Sequence, residues 1–106
     1  MEWIQVFSSV AEAHEKLKEN MPQLLVVNGI SIFLVRRQEN LFALQNKCSH
    51  NGESLSKGSI NFLGEVICPW HGYRFNLKTG RECQERSRDL TTYPVRQNEL
   101  GVFILL

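Results

Sequence analysis

Short stretches of apolar residues, alternating with polar ones at the start and continuous further on, are separated by turn residues along most of this chain; helical spacing occurs once, near the start. Residues 3–7 (WIQVF) alternate and predict a first strand. Ser8 or Ser9 then stands where a helix-capping hydroxyl belongs, ahead of Val10, Ala13 and Leu17 at helical spacing. A short helix is expected through about Asn20, with Pro22 barring its continuation. Apolar runs at 24–27 and 30–35 flank Asn28-Gly29, the dipeptide that best tolerates the two positive-φ positions of a tight hairpin. A second turn is expected at 38–40, leading into a strand at 41–44. The run 60–67 predicts a strand interrupted by Gly64, and 74–77 another, followed by a turn at 78–80. Residues 91–96 and 102–106 read as a closing hairpin around 98–101. Many short strands with frequent turns predict an all-β fold, an antiparallel β sandwich or small barrel with one short N-terminal helix.

At 106 residues the expectation is a single domain spanning 1–106, large enough to fold unaided. The formal net charge of +1 and 22% charged residues give no bias toward polyanions. No Lys/Arg run interleaves with aromatics, so nucleic acid is a poor partner. The longest apolar stretches fall far short of the roughly 20 residues of a membrane span. The first ten residues lack a basic region followed by an apolar core, so no signal peptide is read there. A soluble, cytoplasmic protein is expected.

Chemistry concentrates in two short words, Cys48-x-His50 and Cys68-x-x-His71, with residues 51–67 between them. Each supplies one sulfur and one nitrogen ligand, and each falls in a loop that follows a predicted strand. Loops on a rigid β scaffold can bring such side chains together at one metal site. Two cysteines with two histidines suit a [2Fe–2S] cluster in which imidazoles replace thiolates on one iron. Zinc also accepts two Cys and two His in a tetrahedral site, but its paired ligands usually stand further apart than Cys48 and His50. His14, in the polar helix AEAHEKL, has no ligand partner nearby and reads as a structural or solvated residue. Cys83, in GRECQERSRD, reads as a free thiol, since structural disulfides are rare in a reducing compartment.

The stretches CSHNGESLSKG (48–58) and CPWHGYRFNLKTGR (68–81) resemble the two cluster-binding loops of the Rieske iron–sulfur family. The order of strands and turns over nearly the whole chain is similar too. The resemblance implies a Rieske fold whose cluster-binding subdomain covers about 46–83. It places Cys48 and Cys68 on an inner iron and His50 and His71 on an outer, near-surface iron. Gly52, Gly58 and Gly72 are expected to allow tight turns and close approach of backbone to the cluster. Pro69 should stiffen the second loop, Leu55 should plug beneath the first, and Trp70 should serve as an apolar lid.

Departures from relatives carry their own expectations. Where respiratory and photosynthetic Rieske proteins have a loop-joining disulfide, this chain has Glu53 and Trp70, so no such clamp forms. Where high-potential relatives place a Ser and a Tyr that donate hydroxyl hydrogen bonds, this chain has Tyr73 and Phe75. Fewer donors predict a potential near the lower end of the roughly −150 to +300 mV Rieske span. Histidine ligation further implies a potential that is flat near neutrality and falls at alkaline pH. The segment 81–92 lacks the prolines relatives often carry beside the cluster, which leaves its relation to the site open.

The function implied is that of a Rieske-type ferredoxin, a one-electron carrier from a flavin-dependent ferredoxin reductase to a terminal oxygenase, with no substrate site of its own. An oxygenase subunit needs a further iron site of two histidines and a carboxylate, and beyond the ligand words only His14 remains. The alternative is the small Rieske-like subunit of an assimilatory nitrite reductase, partnered by its large subunit. A redox-sensing interaction module is a third class. Docking is expected at His50, Asn51, Trp70 and His71, with the mixed charges of Lys47, Glu53, Lys57 and Arg74 giving only modest steering.

Overall fold

In the computed structural model, which describes residues 1–106, the chain runs through ten strands and one helix. In order these are β1 (Trp3–Phe7), α1 (Val10–Lys16), β2 (Gln23–Val27), β3 (Ile30–Arg37), β4 (Asn40–Gln45), β5 (Ser59–Ile60), β6 (Glu65–Ile67), β7 (Arg74–Asn76), β8 (Thr92–Tyr93), β9 (Val95–Asn98) and β10 (Gly101–Leu105). A single 3-10 turn, Leu55–Lys57, precedes β5. The strands form three antiparallel sheets, in the orders β1-β10-β9, β2-β3-β4-β8 and β5-β6-β7.

The four-stranded sheet is the middle layer, and β3 shows why. Ile32 and Leu34 point into one core, with Ala13, Leu17, Leu41, Ala43, Val102 and Ile104. Phe33 and Val35, one position out of phase, point into the other, with Leu44, Leu55, Val66, Phe75 and both Cys48 and Cys68. A strand buried on both faces has no polar side to show. That is why 32–35 reads IFLV rather than alternating. The first core supports the helix and the terminal strands; the second carries the ligand loops.

Local chemistry explains most boundaries. At the Asn28-Gly29 turn both residues have positive φ, 49° and 77°, as a two-residue hairpin requires. The Ser9 hydroxyl accepts from Glu12 N–H at 3.0 Å, while the Glu12 carboxylate accepts from Ser8 N–H at 2.9 Å. This reciprocal cap fixes where α1 starts.

Three expectations need correcting. The helix stops at Lys16, not near Asn20. The Leu17 carbonyl is taken by Arg36 Nε at 2.7 Å, and Asn20 N–H donates to the Arg36 carbonyl at 2.8 Å, so the chain peels away to run beside β3. The predicted strand at 60–67 is a hairpin, β5 and β6, because Gly64 takes φ 82° and reverses the chain. The predicted strand at 91–96 is split by Pro94, with Thr92–Tyr93 pairing with β4 and Val95–Asn98 with β10. Proline lacks an N–H and suits such a crossover between sheets.

Candidate metal centre

Both ligand words close in the same way. Cys48 N–H donates to the Glu53 carbonyl and Cys68 N–H to the Tyr73 carbonyl, each at 2.8 Å. Each loop therefore returns to its cysteine five residues on. Each also carries a glycine four residues after the cysteine, Gly52 at φ 77° and Gly72 at φ 69°, where the chain must turn back. The second loop caps the β6–β7 hairpin, whose last pair is Ile67 with Arg74. The first is pinned by buried Asn46, whose amide donates to Ser54 Oγ at 3.2 Å and accepts from Ser56 N–H at 2.9 Å. Leu55 lies beneath it, wholly buried in the core that holds both cysteines, as expected. Gly58 plays a different part from the one expected. A Cβ there would overlap the Ile67 carbonyl oxygen, so its close approach is to a neighbouring strand.

The four candidate ligands divide by depth. Cys48 and Cys68 are 2% and 1% exposed, whereas His50 and His71 lie on the surface. Burial foremost, with the adjacent Cys48 adding to it, pushes the Cys68 thiol up to about 11. A thiol binds a metal as its thiolate, so metal binding at these cysteines releases protons. The thiol of Cys68 also points at the Asn51 side-chain oxygen, 3.8 Å away across the two loops. The imidazoles of His50 and His71 stand edge to face, centroids 5.6 Å apart and planes at 86°. Trp70 meets His71 edge-on at 5.5 Å but stays 59% exposed, so it flanks that ring more than it lids the site.

No three Cys, His, Asp or Glu side chains gather closely enough to hold a single metal ion. A tetrahedral zinc needs all four ligands on one ion. A buried sulfur pair and an exposed nitrogen pair fit a dinuclear centre, with one pair for each iron.

A third segment, whose relation to the site the sequence leaves open, completes it. In the segment 81–90, residues 81–83 run beside β7, through Cys83 N–H to the Arg74 carbonyl at 2.8 Å and Asn76 N–H to the Arg81 carbonyl at 2.9 Å. Ser49, inside the first ligand word, bonds to the Ser87 hydroxyl and donates to the Arg88 carbonyl at 2.6 Å. The Arg86 guanidinium lies over the Tyr73 ring, 3.9 Å from its centroid. Tyr73 in turn stacks on His50, with centroids 3.8 Å apart and planes at 9°. Glu82 and Arg86 were not legible as site residues, because they sit in a run of charges that reads as a solvated face. His14 lies on α1, its Nε2 buried without a partner. Cys83 is exposed and unpaired.

A layered β protein that presents paired cysteines and paired histidines from two matching loops belongs to the iron–sulfur class. Residues 7–94 match the Rieske [2Fe-2S] domain. This chain belongs to the Rieske [2Fe-2S] domain family, and its cofactor is one Rieske-type [2Fe–2S] cluster. Among its relatives is the 3-phenylpropionate/cinnamic acid dioxygenase ferredoxin subunit of Shigella boydii serotype 4 (strain Sb227), 39% identical over 59% of this chain and 60% of that protein. The alignment thus leaves two-fifths of that relative unmatched. The ferredoxin component of the naphthalene 1,2-dioxygenase/salicylate 5-hydroxylase systems of Ralstonia sp is 33% identical over 74% of this chain and 75% of its own. The solved ferredoxin of carbazole 1,9a-dioxygenase from Nocardioides aromaticivorans IC177 has the same fold. It superposes with a TM-score of 0.82 at 23% identity, covering 98% of this chain and 97% of the other. No helix here is long and apolar enough to cross a membrane.

Proposed function

We propose that this chain is a one-electron carrier in which Cys48 and Cys68 hold the inner iron of the cluster and His50 and His71 the outer iron. Residues 1–106 act as one domain, with the cluster-binding part at about 46–83. The observation that carries this reading is the division by depth: both sulfurs are sealed in a core and both imidazoles reach solvent from closed loops. When bound, the cluster supplies a one-electron couple. The protein's own contribution is positional. Leu55, Val66 and Phe75 keep water from the sulfur side, and the exposed edges of His50 and His71 offer the route by which a partner exchanges the electron.

The relatives' roles as ferredoxin components of dioxygenase systems support a terminal oxygenase as acceptor; the donor proposed with it is a flavin-dependent ferredoxin reductase, and the setting proposed is the cytoplasm. Docking would use the surface formed by His50, Asn51, Trp70 and His71.

Anaerobically prepared protein should contain about two irons and two sulfides per chain and give a rhombic paramagnetic signal with nitrogen couplings on reduction. Cys68→Ser should abolish iron and sulfide together. One stoichiometric zinc, with no sulfide, would remove the cluster assignment. A loaded protein that neither accepts electrons from a flavin reductase nor passes them to a Rieske oxygenase would remove the carrier role.

A further inference from the structure

Glu82 is wholly buried, yet it lies outside the four ligand positions. Its two carboxylate oxygens accept from Arg86 Nε at 3.1 Å and Nη2 at 2.8 Å. It also accepts from the backbone N–H of Arg86 at 2.8 Å and of Gln84 at 3.2 Å, and from the Cys83 thiol at 3.3 Å. Two parallel bonds to a carboxylate fix the plane of a guanidinium as well as its place. That guanidinium lies over Tyr73, and the His50 imidazole lies flat against the same ring. Two groups centred 3.8 and 3.9 Å from one ring centroid would overlap on a single face, so Tyr73 is sandwiched between them. The result is a column of four side chains, Glu82, Arg86, Tyr73 and His50, running from a buried carboxylate to the surface histidine.

The geometry points to Arg86 as a positioning residue for the centre. Held by Glu82, it keeps Tyr73 pressed on His50, which sets the plane of that imidazole, and it stations a balanced ion pair one aromatic ring behind it. This rests on the assignment of His50 as a ligand. A reduced centre carries one more negative charge than an oxidised one. Loss of the cation therefore disfavours reduction, and loss of the anion favours it.

Arg86→Gln and Glu82→Gln should consequently move the midpoint potential in opposite directions, R86Q down and E82Q up. A unit charge uncovered at this separation should change the one-electron reduction constant about tenfold, which is about 59 mV. R86Q should also alter the g-anisotropy and the nitrogen couplings of one histidine, as a released ring would. Arg96→Gln is the control. Arg96 lies over Trp3 at 4.1 Å, on β9 and away from the ligand loops, and its removal subtracts the same charge. It should leave potential and spectrum unchanged.

Shifts of the same sign in R86Q and E82Q, or none in either, overturn the inference while the ligand assignment stands. If R86Q holds no cluster, the rise in E82Q decides alone, and its absence overturns the inference. Wild-type protein with iron and sulfide but no nitrogen couplings would overturn the ligand assignment itself, and this inference with it.

Discussion

His71 holds a backbone conformation that few side chains accept, φ 70°, followed directly by Gly72 at φ 69°. The left-handed region costs a non-glycine residue about 1 kcal/mol, and histidine enters it more readily than most. Closure of the loop by the Cys68–Tyr73 bond holds it there. Glu82 is the other residue whose state the fold dictates. The hydrogen bonds from the Arg86 side chain hold its carboxyl well below the usual carboxylate range, against the opposing effect of burial. The folded protein therefore binds this proton less readily than the unfolded chain. The resulting stability is full above the unfolded value of roughly 4.3 and drains away as pH falls toward the lower folded value. Urea midpoints measured from pH 7 downward should fall more steeply for the wild type than for E82Q. Because Arg86 is 39% exposed, the gap between the two should narrow in high salt. Equal acid slopes would show that the pair contributes nothing.

Among the elements, the strap at 81–90 does for the two ligand loops what no disulfide does here. It bonds to Ser49 in the first loop and stacks on Tyr73 in the second. Its closure depends on Gly80, which sits at φ 77° where a Cβ would overlap the Leu90 carbonyl oxygen; Leu90 N–H donates to the Gly80 carbonyl at 2.8 Å. Gly80→Ala should cost about 2 kcal/mol in global stability. It should also speed cluster loss to a chelator, read as bleaching of the visible spectrum. Unchanged bleaching with lowered stability would mean the strap only supports the fold. The helix offers the contrast of an element written into local chemistry at one end only. Its start follows from Ser9 and Glu12. Its end is set by Arg36, a residue on β3.

For the molecule as a whole, the arrangement that matters is two cores sharing one sheet. Phe33 and Leu34 are neighbours on β3, both buried, one facing the cysteines and the other facing α1 and β10. Truncation to alanine should cost about 3–5 kcal/mol at Phe33 and about 2–5 kcal/mol at Leu34. The cluster should register only one of them. Phe33→Ala opens space beside Cys48 and Cys68 and should shorten the cluster's lifetime in air. Leu34→Ala should lower the urea midpoint by a similar amount with a smaller effect on that lifetime. Equal effects on the cluster would mean the middle sheet transmits damage freely between the two sides.

Strand identity, the Asn28-Gly29 hairpin and the four candidate ligands were legible in the chain, because each is a short-range pattern: alternation, a dipeptide with permitted dihedrals, donor atoms at fixed spacing. The family words around Cys48 and Cys68 carried the cofactor in the same way. The sequence could not show which two cores the faces of β3 would join, or that Pro94 would pass the chain from one sheet to another. Nor could it show that a charged run at 81–88 would hide a carboxylate and lay a guanidinium on Tyr73. Those outcomes depend on which surfaces meet across long stretches of chain. Burial and ion pairing are properties of the assembled neighbourhood, and no local pattern encodes them.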